Sequence, residues 1–323
     1  MGFRTLIFGW DLRIEIWDLC YNILMDLTSP KIIKELLSKY NARPSKGLGQ
    51  NFLIDKNVLN KIIESSDIKP NDIILEVGPG IGTLTQKLAE KVHPVKSREA
   101  GISPTAKLFN GAGKVIAIEK DKKMCEILGE TLKDFKNVKI VQGDILRYND
   151  PKGTPTTNYK IVANIPYYLT SPLIRKFLEE KSPPQEMVLM LQKEVAQRIC
   201  AKPPDMNLLA VSVQFYAEPK IISYVSKNCF WPSPKVDSAI IKIIPYKASG
   251  SPRPAGSTNL FFKVVKAGFS QPRKQLYSNL SKVLKLEKEE VKKWLSKNNI
   301  KPEQRAETLS IEDWKNLIKS FNY

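Results

Sequence analysis

Histidine and cysteine are scarce in this sequence, and their scarcity limits the chemistry open to it. Among 323 residues there is one histidine, His93, and four widely spaced cysteines, Cys20, Cys125, Cys200 and Cys229. A single histidine nearly excludes His-based nucleophilic triads and histidine-rich metal sites, and the absence of a Cys-x-x-Cys pair argues against zinc. We therefore expect no bound metal, no disulfide framework and a reducing compartment, taken to be the cytoplasm.

Acidic residues and long apolar runs are also in short supply. Lys and Arg total 51 against 33 Asp and Glu, a net charge of +18. This excess suits a polyanionic partner such as nucleic acid, although a solvated basic surface is the simpler alternative. No apolar run reaches the roughly 18 residues of a membrane span, and the chain has no Walker A loop and no internal repeat. With 42% hydrophobic residues, it has enough apolar content for a large domain and a smaller one.

The strongest functional signal is the stretch from Lys160 to Ser171, KIVANIPYYLTS. Its apolar run predicts a buried strand that ends before Pro166, because proline has no N–H to give to a sheet. Asn164 and Tyr167 would then lie at the strand's carboxyl end, where open α/β sheets bind ligands. The Asn164 side-chain oxygen and a backbone carbonyl, of Ile165 or Pro166, could hold the two hydrogens of an aromatic amine while Tyr167 stacks on the base. Alone, the stretch favours a simpler structure, a proline-terminated strand followed by a helix capped by Thr170 or Ser171.

A glycine-rich turn follows another predicted strand. In DIILEVGPGIGTLT, Asp72 to Thr85, the turn glycines Gly78, Gly80 and Gly82 allow the main chain to approach a ligand. The helix that follows offers free N–H groups to a carboxylate. Ordinary α/β architecture is a serious alternative for this pattern by itself.

Two further predicted strands end in residues suited to a nucleoside. Lys114 to Glu119 ends in an acid of the kind that holds ribose hydroxyls. Val138 to Val141 is followed by Asp144, which could accept from an adenine amino group, and by Ile145, which could pack on the ring. Each acid alone is as easily a capping or solvated residue, but four such strand ends in one chain predict a line of ligand contacts.

The remaining segments suggest how the chain is organised. Residues 1–24 form an atypical apolar leader, and we expect Met25 to be the natural initiator. Residues 25–246 are predicted to form the catalytic domain, with an inserted loop at about 93–113 that is rich in Pro, Gly and Ser. Residues 247–258 are predicted to be a linker, and residues 259–323 a small all-helical domain with helices at Phe261 to Phe269, Leu276 to Leu284, Glu289 to Leu295 and Ile311 to Phe321.

These motifs, in this order, resemble the S-adenosylmethionine-dependent ribosomal RNA adenine N6,N6-dimethyltransferases. The resemblance runs from about Met25 to the C terminus, and the leader and the loop after His93 depart from the family pattern. The motifs are GQNFL with Asn51 and Leu53, EVGPGIGTLT, Glu119, Gly143-Asp144, NIPYY, LQKEVAQRI from Leu191, and FWPSPKVDS from Phe230 to Ser238.

The resemblance implies a fold, a site and a substrate. The fold would be a Rossmann-like class I methyltransferase sheet with helices on both faces, followed by the helical domain. S-adenosylmethionine would contact Asn51, Leu53, Gly78, Gly80, Glu119, Asp144, Ile145 and Asn164. Asn164 and the backbone beside Pro166 would orient the target amine, with Tyr167 and Phe230 on either side of the adenine. The substrate would be two adjacent adenosines in a hairpin loop near the 3′ end of small-subunit ribosomal RNA.

Basic residues of the helical domain are the predicted RNA contacts. These residues lie beside aromatic residues in the sequence, and they are Lys263, Lys266, Arg273 and Lys274. Basic and aromatic side chains together suit phosphates and exposed bases. A lysine-rich helix is, however, more often a solvent-exposed surface that binds nothing. We expect a monomer without a membrane partner.

Three other functions fit parts of the sequence. A macrolide-resistance methyltransferase acting on large-subunit RNA is the nearest, but the long lysine-rich tail with Gly268 to Lys274 favours the small-subunit enzyme. A DNA adenine methyltransferase would need a large target-recognition domain that is absent. A ribosome-assembly or RNA-binding factor with secondary methylation is the alternative from another class.

Overall fold

A computed structural model describes residues 25–45, 47–92, 113–148, 158–246 and 258–321 of the chain. The predicted leader, nearly all of the predicted insertion and the predicted linker up to residue 257 lie outside these ranges.

A seven-stranded sheet lies at the centre of the larger part of the molecule. Its strand order is β4-β3-β2-β5-β6-β9-β7; the first five strands are parallel, and β9 is antiparallel to both of its neighbours. Two short strands, β1 and β8, form a separate antiparallel pair in which Leu53 faces Phe230. The strands of the described residues are β1 Phe52–Leu53, β2 Ile73–Val77, β3 Lys114–Glu119, β4 Val138–Gln142, β5 Tyr159–Asn164, β6 Met187–Gln192, β7 Ala217–Val225, β8 Phe230–Trp231 and β9 Ser238–Pro245.

Helices cover both faces of this sheet and continue beyond it. Within the described ranges they are α1 Pro30–Lys39, α2 Lys56–Ser65, α3 Thr83–Val92, α4 Lys122–Thr131, α5 Thr170–Glu179, α6 Lys193–Ile199, α7 Leu208–Gln214, α8 Thr258–Gly268, α9 Leu276–Leu284, α10 Lys288–Lys297 and α11 Ile311–Lys319. Asp55 caps α2, accepting from two backbone N–H groups, whereas Ser29 occupies the cap position before Pro30 without a side-chain hydrogen bond. None of the described helices has the length and apolar character needed to cross a membrane.

The central strands are apolar throughout because both faces of the sheet are buried. On β5, Ile161 and Ala163 pack against Phe177 of α5 on one face, while Val162 joins Ile62 of α2 in the cluster on the other. Successive strand residues point to opposite faces, so two helical layers require an unbroken apolar run. The predicted strands at Asp72, Lys114, Val138 and Lys160 are all confirmed. The sequence from Val236 to Ile244 also predicts a late strand, and this strand starts two residues later, at Ser238.

Paired charges occupy the amino edge of the sheet. Lys160, at the start of β5, is 6% exposed, and its Nζ lies 3.0 Å from Asp72 Oδ2 and 3.3 Å from Glu186 Oε1. Glu186 in turn lies 2.7 Å from Lys242 Nζ. A buried ammonium group is tolerated only with such partners, and this edge is the one opposite the cavity described below.

The four predicted C-terminal helices are present as α8–α11 and surround the buried Trp314. This cluster also includes Ala210 and Val211 of α7, and the rings of Phe215 and Phe261 lie 4.1 Å apart, tilted by 32°. Val213, on the same α7 helix, belongs to the cluster of the sheet. The helical part is therefore joined to the sheet by a packed apolar contact.

Candidate active site

The carboxyl ends of β2, β3, β4 and β5 meet at one cavity. β2 lies between β3 and β5, so the chain passes to one side of β2 and then returns to the other, which makes this edge a topological switch point. The cavity has a volume of about 1120 Å³, including open solvent at its mouth, and Gly78, Glu119, Asp144 and Asn164 line it, one from the end of each strand. A concave site outside the carboxyl ends of the strands, at a switch point, is where open α/β sheets bind their ligands.

The glycine turn after β2 gives the cavity a main-chain wall. Gly78 and Gly80 have φ angles of +68° and +59°, a left-handed conformation that favours glycine. A Cβ on Gly78 would lie 3.3 Å from Pro166 Cδ, and one on Gly80 would lie 3.3 Å from Phe52 Cε1. Because the turn packs this closely against its neighbours, side chains at these positions would fill the space that a ligand needs.

Glu119 is held in place at the end of β3. Its carboxylate accepts from the N–H of Gly80 at 3.2 Å and from the N–H of Asp121 at 2.9 Å. Burial raises the pKa of Glu119 despite these bonds. The side chain is 7% exposed and lines the cavity, so its remaining lone pairs are directed at a ligand rather than at bulk water.

A second acid, Glu76, was not identified as a site residue from the sequence. It lies one residue before the end of β2, is 1% exposed and lines the cavity. Its Oε2 has no hydrogen-bond partner among the described residues, and burial raises its pKa to about 8. The sequence signal that could have identified Glu76 is an acid within an otherwise apolar, buried strand. A buried carboxyl group without a partner is costly unless a ligand satisfies it.

Asp144 is paired in this structure. Its Oδ2 lies 3.0 Å from Lys120 Nζ and its Oδ1 accepts from the N–H of Leu146 at 3.0 Å, and the bond from Lys120 lowers its pKa. A carboxylate has about four lone-pair sites, so it can still accept from a ligand. Ile145 is 4% exposed and packs into the sheet cluster, with one side on the cavity.

The segment from Leu48 to Leu53 forms another wall of the cavity. Gln50 fixes it: its Nε2 donates to Asp121 Oδ2 at 2.9 Å, and its Oε1 accepts from the N–H of Ser45 at 2.8 Å. Asn51 donates to the Gly49 carbonyl at 3.1 Å, and Leu53 is 3% exposed. This tether brings Asn51 and Leu53 to the sheet edge, although the sequence of the segment alone was compatible with an ordinary loop.

The end of β5 presents an amide to the cavity. The Asn164 side chain lines it and has no hydrogen-bond partner among the described residues. Of the two carbonyls that the sequence left open, that of Pro166 accepts from the N–H of Leu169 at 2.9 Å. Within the described ranges no backbone N–H donates to the Ile165 carbonyl, while the Ile165 N–H is held by Met190 O at 3.2 Å. The Ile165 carbonyl is therefore the unengaged one of the two, while Pro166 is the residue that lines the cavity and keeps a second lone pair on its oxygen.

Aromatic residues form the outer wall. The half-buried Tyr167 is hydrogen-bonded to Ser238, with 2.8 Å between the two hydroxyl oxygens. Phe230 is 4% exposed; it packs in the core beside Leu53 and reaches the cavity with the remainder of its ring. Tyr168 is 53% exposed at the mouth. Ser238 and Tyr168 are further residues that sequence reasoning did not select, and only the folded arrangement places Ser238 beside Tyr167.

The predicted RNA-contacting residues lie outside the cavity. Lys263 and Lys266 are exposed on α8, and Arg273 and Lys274 are exposed in the loop that follows it. Within the described ranges no group of three or more His, Cys, Asp or Glu side chains is placed to hold a metal ion.

An open, mostly parallel sheet with a glycine turn at its switch point and acids at the next strand ends is the Rossmann-like arrangement of class I methyltransferases. Among solved structures, the chain is similar to the 23S rRNA methyltransferase ErmE, with a TM-score of 0.64 and 24% identity over 84% of this chain and 99% of that one, which shows the shared fold. It is also similar to a dimethyladenosine transferase from Plasmodium falciparum, with a TM-score of 0.63 and 27% identity over 82% and 95% of the two chains.

Sequence comparison identifies the family. Residues 41–100 and 99–323 match the ribosomal RNA adenine dimethylase family. The chain is 42% identical to the ribosomal RNA small subunit methyltransferase A of Dehalococcoides mccartyi over 291 residues, which are 89% of this chain and 92% of that protein. This chain belongs to the ribosomal RNA adenine dimethylase family, as its motifs predicted.

Proposed function

We propose that this protein transfers methyl groups from S-adenosylmethionine to the N6 amines of two adjacent adenosines in small-subunit ribosomal RNA, in the hairpin loop near its 3′ end. The observation that carries the proposal is the unpartnered amide of Asn164 in the same cavity as the Gly78 turn, followed in the chain by the carbonyl of Ile165, to which no described backbone N–H donates. The name of the Dehalococcoides relative supports the small-subunit substrate. The large-subunit alternative is not favoured, because the likeness to ErmE concerns the fold alone.

The cavity fits S-adenosylmethionine, which supplies an electrophilic methyl group when bound. The unpartnered oxygen of Glu76 suits a hydrogen-bond donor or a positive charge, Glu119 suits ribose hydroxyls, and the left-handed glycine turn leaves room for the main chain to approach a ligand. We assign the cofactor contacts to Asn51, Leu53, Gly78, Gly80, Glu119, Asp144, Ile145 and Asn164.

Asn164 and Ile165 activate the amine by position and charge. An exocyclic amine of adenine is a weak nucleophile, because its lone pair is delocalised into the ring. Two fixed oxygens that accept its hydrogens favour a pyramidal nitrogen and stabilise the positive charge that develops on it. Pro166 ends the strand at this point and, with its own carbonyl engaged by Leu169, sets the direction of the turn.

Tyr167 and Phe230 hold the base. Tyr167 offers a ring fixed by Ser238, and Phe230 offers a ring fixed by the core, so an adenine between them is bound by stacking without a metal or a histidine.

Residues 25–246 would form the catalytic domain and residues 259–323 the helical RNA-binding domain. In the helical domain, phosphates would be contacted by Lys263, Lys266, Arg273 and Lys274. Action in the cytoplasm and as a monomer stays a prediction.

Asn164→Ala tests the proposal, with the exposed helix residue Asn60→Ala as the matched control. Transfer of a labelled methyl group is measured on immature small subunits, naked small-subunit RNA and large-subunit RNA in parallel. We expect the wild type and Asn60→Ala to methylate immature small subunits. Asn164→Ala should lose about 100-fold or more in kcat, because the amine loses a fixed acceptor, while binding particles with unchanged affinity.

Three results would contradict the proposal. Preferential methylation of large-subunit RNA by the wild type would reassign the substrate. Full activity of Asn164→Ala would remove the proposed role of the amide. Unimpaired small-subunit maturation in cells that carry an inactive variant would favour an assembly factor.

A further inference from the structure

A basic and aromatic surface lies beside the outer wall of the cavity, where β7 forms one edge of the sheet. It consists of Lys193, Tyr224, Lys227 and Lys235, and we name it the strand-edge platform. Tyr224 is 53% exposed, and Lys193 Nζ lies 5.1 Å from the centroid of its ring. Large aromatic side chains exposed to this extent, with a cation over the ring, are suited to a binding surface.

Asp237 joins the parts of the platform. Its carbonyl accepts from the N–H of Lys193 at 3.0 Å, and its Oδ1 accepts from the N–H of Lys227, also at 3.0 Å. Lys235 lies two residues earlier in the chain, and Tyr224 pairs across the sheet with Ala239, two residues later. Three elements that are distant in sequence are thus held around one residue.

The platform is continuous with the base-binding wall. Asp237 precedes Ser238, the residue whose hydroxyl lies 2.8 Å from that of Tyr167. The proposed target adenosines lie in a hairpin loop, where their neighbours are unpaired, and a base that flips into the cavity to stack on Tyr167 leaves those neighbours at the cavity mouth. The platform lies where such neighbours would emerge on the Ser238 side.

The charge of the platform suits a phosphate backbone. In the described part of the chain, the ammonium groups of Lys193, Lys227 and Lys235 form no salt bridge. The nearby acids are Asp237, whose Oδ1 is engaged by a backbone N–H, and the exposed Glu194. Val236, which directly precedes Asp237 and is 46% exposed, adds apolar surface to the platform. Lysines along a path with an aromatic ring are the combination that binds single strands through phosphates and stacking.

We propose that the strand-edge platform binds the single-stranded RNA next to the target adenosine, with Tyr224 stacking on a neighbouring base and Lys227 and Lys235 contacting phosphates. The identity of the target rests on the function proposed above. The platform's affinity for a single strand does not rest on that function, since this affinity follows from exposed rings and charges alone.

The test separates RNA binding from methyl transfer. The probe is a fluorescent 12-nucleotide oligouridine, which contains no adenosine and cannot be methylated, titrated with full-length protein at several salt concentrations. The variants are Tyr224→Ala and the double change Lys227→Gln with Lys235→Gln. The control is Lys136→Gln with Lys181→Gln, which removes two exposed charges at the amino edge of the sheet.

We expect Tyr224→Ala to weaken oligouridine binding about tenfold through lost stacking. The Lys227/Lys235 variant should lower the slope of log affinity against log salt by about 1.4, or ~0.7 for each phosphate contact, and the control should match the wild type. On immature small subunits both platform variants should raise KM while leaving kcat and S-adenosylmethionine affinity unchanged.

If both platform variants bound oligouridine with the affinity and the salt slope of the wild type, the proposed binding role of the platform would be wrong. A wild type that methylates no ribosomal RNA, with the platform variants still weakened on oligouridine, would overturn the proposed function and leave the platform standing. Equal weakening on single-stranded DNA would show a general single-strand surface, and the assignment to RNA would be wrong.

Discussion

The hydroxyl oxygens of Tyr167 and Ser238 lie 2.8 Å apart, and Ser238 is fully buried at the start of β9. Burial raises the pKa of the Tyr167 phenol above its ordinary value of 10.0, and either hydroxyl can be the donor in this bond. The two residues are 71 positions apart in the chain. The bond fixes the plane of a ring that lines the cavity.

We therefore expect Ser238→Ala to lower kcat for methyl transfer about fivefold, the equivalent of ~1 kcal/mol for one hydrogen bond. Tyr167→Phe should give a similar loss, since the ring remains and only the same bond is removed. The double variant should be no worse than either single one, because the two hydroxyls act as a pair. Steady-state kinetics on immature small subunits provide the measurement.

Ser212→Ala, which removes a hydroxyl that bonds only within α7, is the control for this cycle. Additive losses in the Tyr167 and Ser238 variants would show that the two hydroxyls act independently, and the positioning role of Ser238 would be wrong.

Glu76 should make the stability of the cofactor-free protein depend on pH. Its pKa is raised from the model-peptide value of 4.5 to about 8, so the folded state favours the protonated form. The contribution is fully favourable below pH 4.5, and it is lost as the pH rises towards 8 because the unfolded chain ionises first. The loss is on the order of 5 kcal/mol across this window at 1.36 kcal/mol per pKa unit.

Glu76→Gln removes this titration. Urea denaturation at several pH values should show the variant gaining stability over the wild type between about pH 5 and pH 8. Calorimetry should show weaker binding of S-adenosylmethionine to the variant, because the carboxylate that the ligand satisfies is absent. Parallel stability curves for the two proteins, or unchanged cofactor affinity, would count against this role of Glu76.

Two glycines in helices should respond to alanine with opposite signs. A Cβ on Gly268, at the end of α8, would overlap Cη2 of the buried Trp314. A Cβ on Gly129, in the exposed part of α4, would meet no atom within 4 Å. Gly268→Ala should destabilise the protein by about 1–3 kcal/mol through overpacking. Gly129→Ala should stabilise it by about 0.5–1 kcal/mol, because alanine has less conformational freedom to lose.

Urea denaturation of the two variants beside the wild type measures both effects. Because Gly268 lies in the helical part and Gly129 flanks the sheet, the pair also tests whether the two parts unfold together. Unchanged or raised stability of Gly268→Ala would contradict the packing described around Trp314, and destabilisation by Gly129→Ala would contradict the open space at that position.

Much of this fold follows from local patterns. The apolar runs at Ile73, Lys114, Val138 and Tyr159 predicted strands because a sheet covered on both faces requires uninterrupted apolar side chains. Pro166 predicted the end of β5, since proline cannot continue a ladder. The one shifted strand, β9, begins at Ser238 rather than Val236, because Val236 is exposed and unpaired before the ladder with Gln192 starts. The order of the motifs was enough to indicate the family.

The sequence by itself determined the strands, the glycine turn, the polar residues at the strand ends and the family to which they belong, because each depends on neighbours within a few residues. Only the tertiary structure decided that the Pro166 carbonyl accepts from Leu169 while no described backbone N–H donates to the Ile165 carbonyl, that Glu76 Oε2 is buried without a hydrogen-bond partner among the described residues, and that Ser238 and Asp237 connect the cavity wall to Tyr224. The bond between Tyr167 and Ser238 joins residues 71 positions apart. Strand order in the sheet sets this contact and the burial of Glu76, and no local pattern encodes strand order.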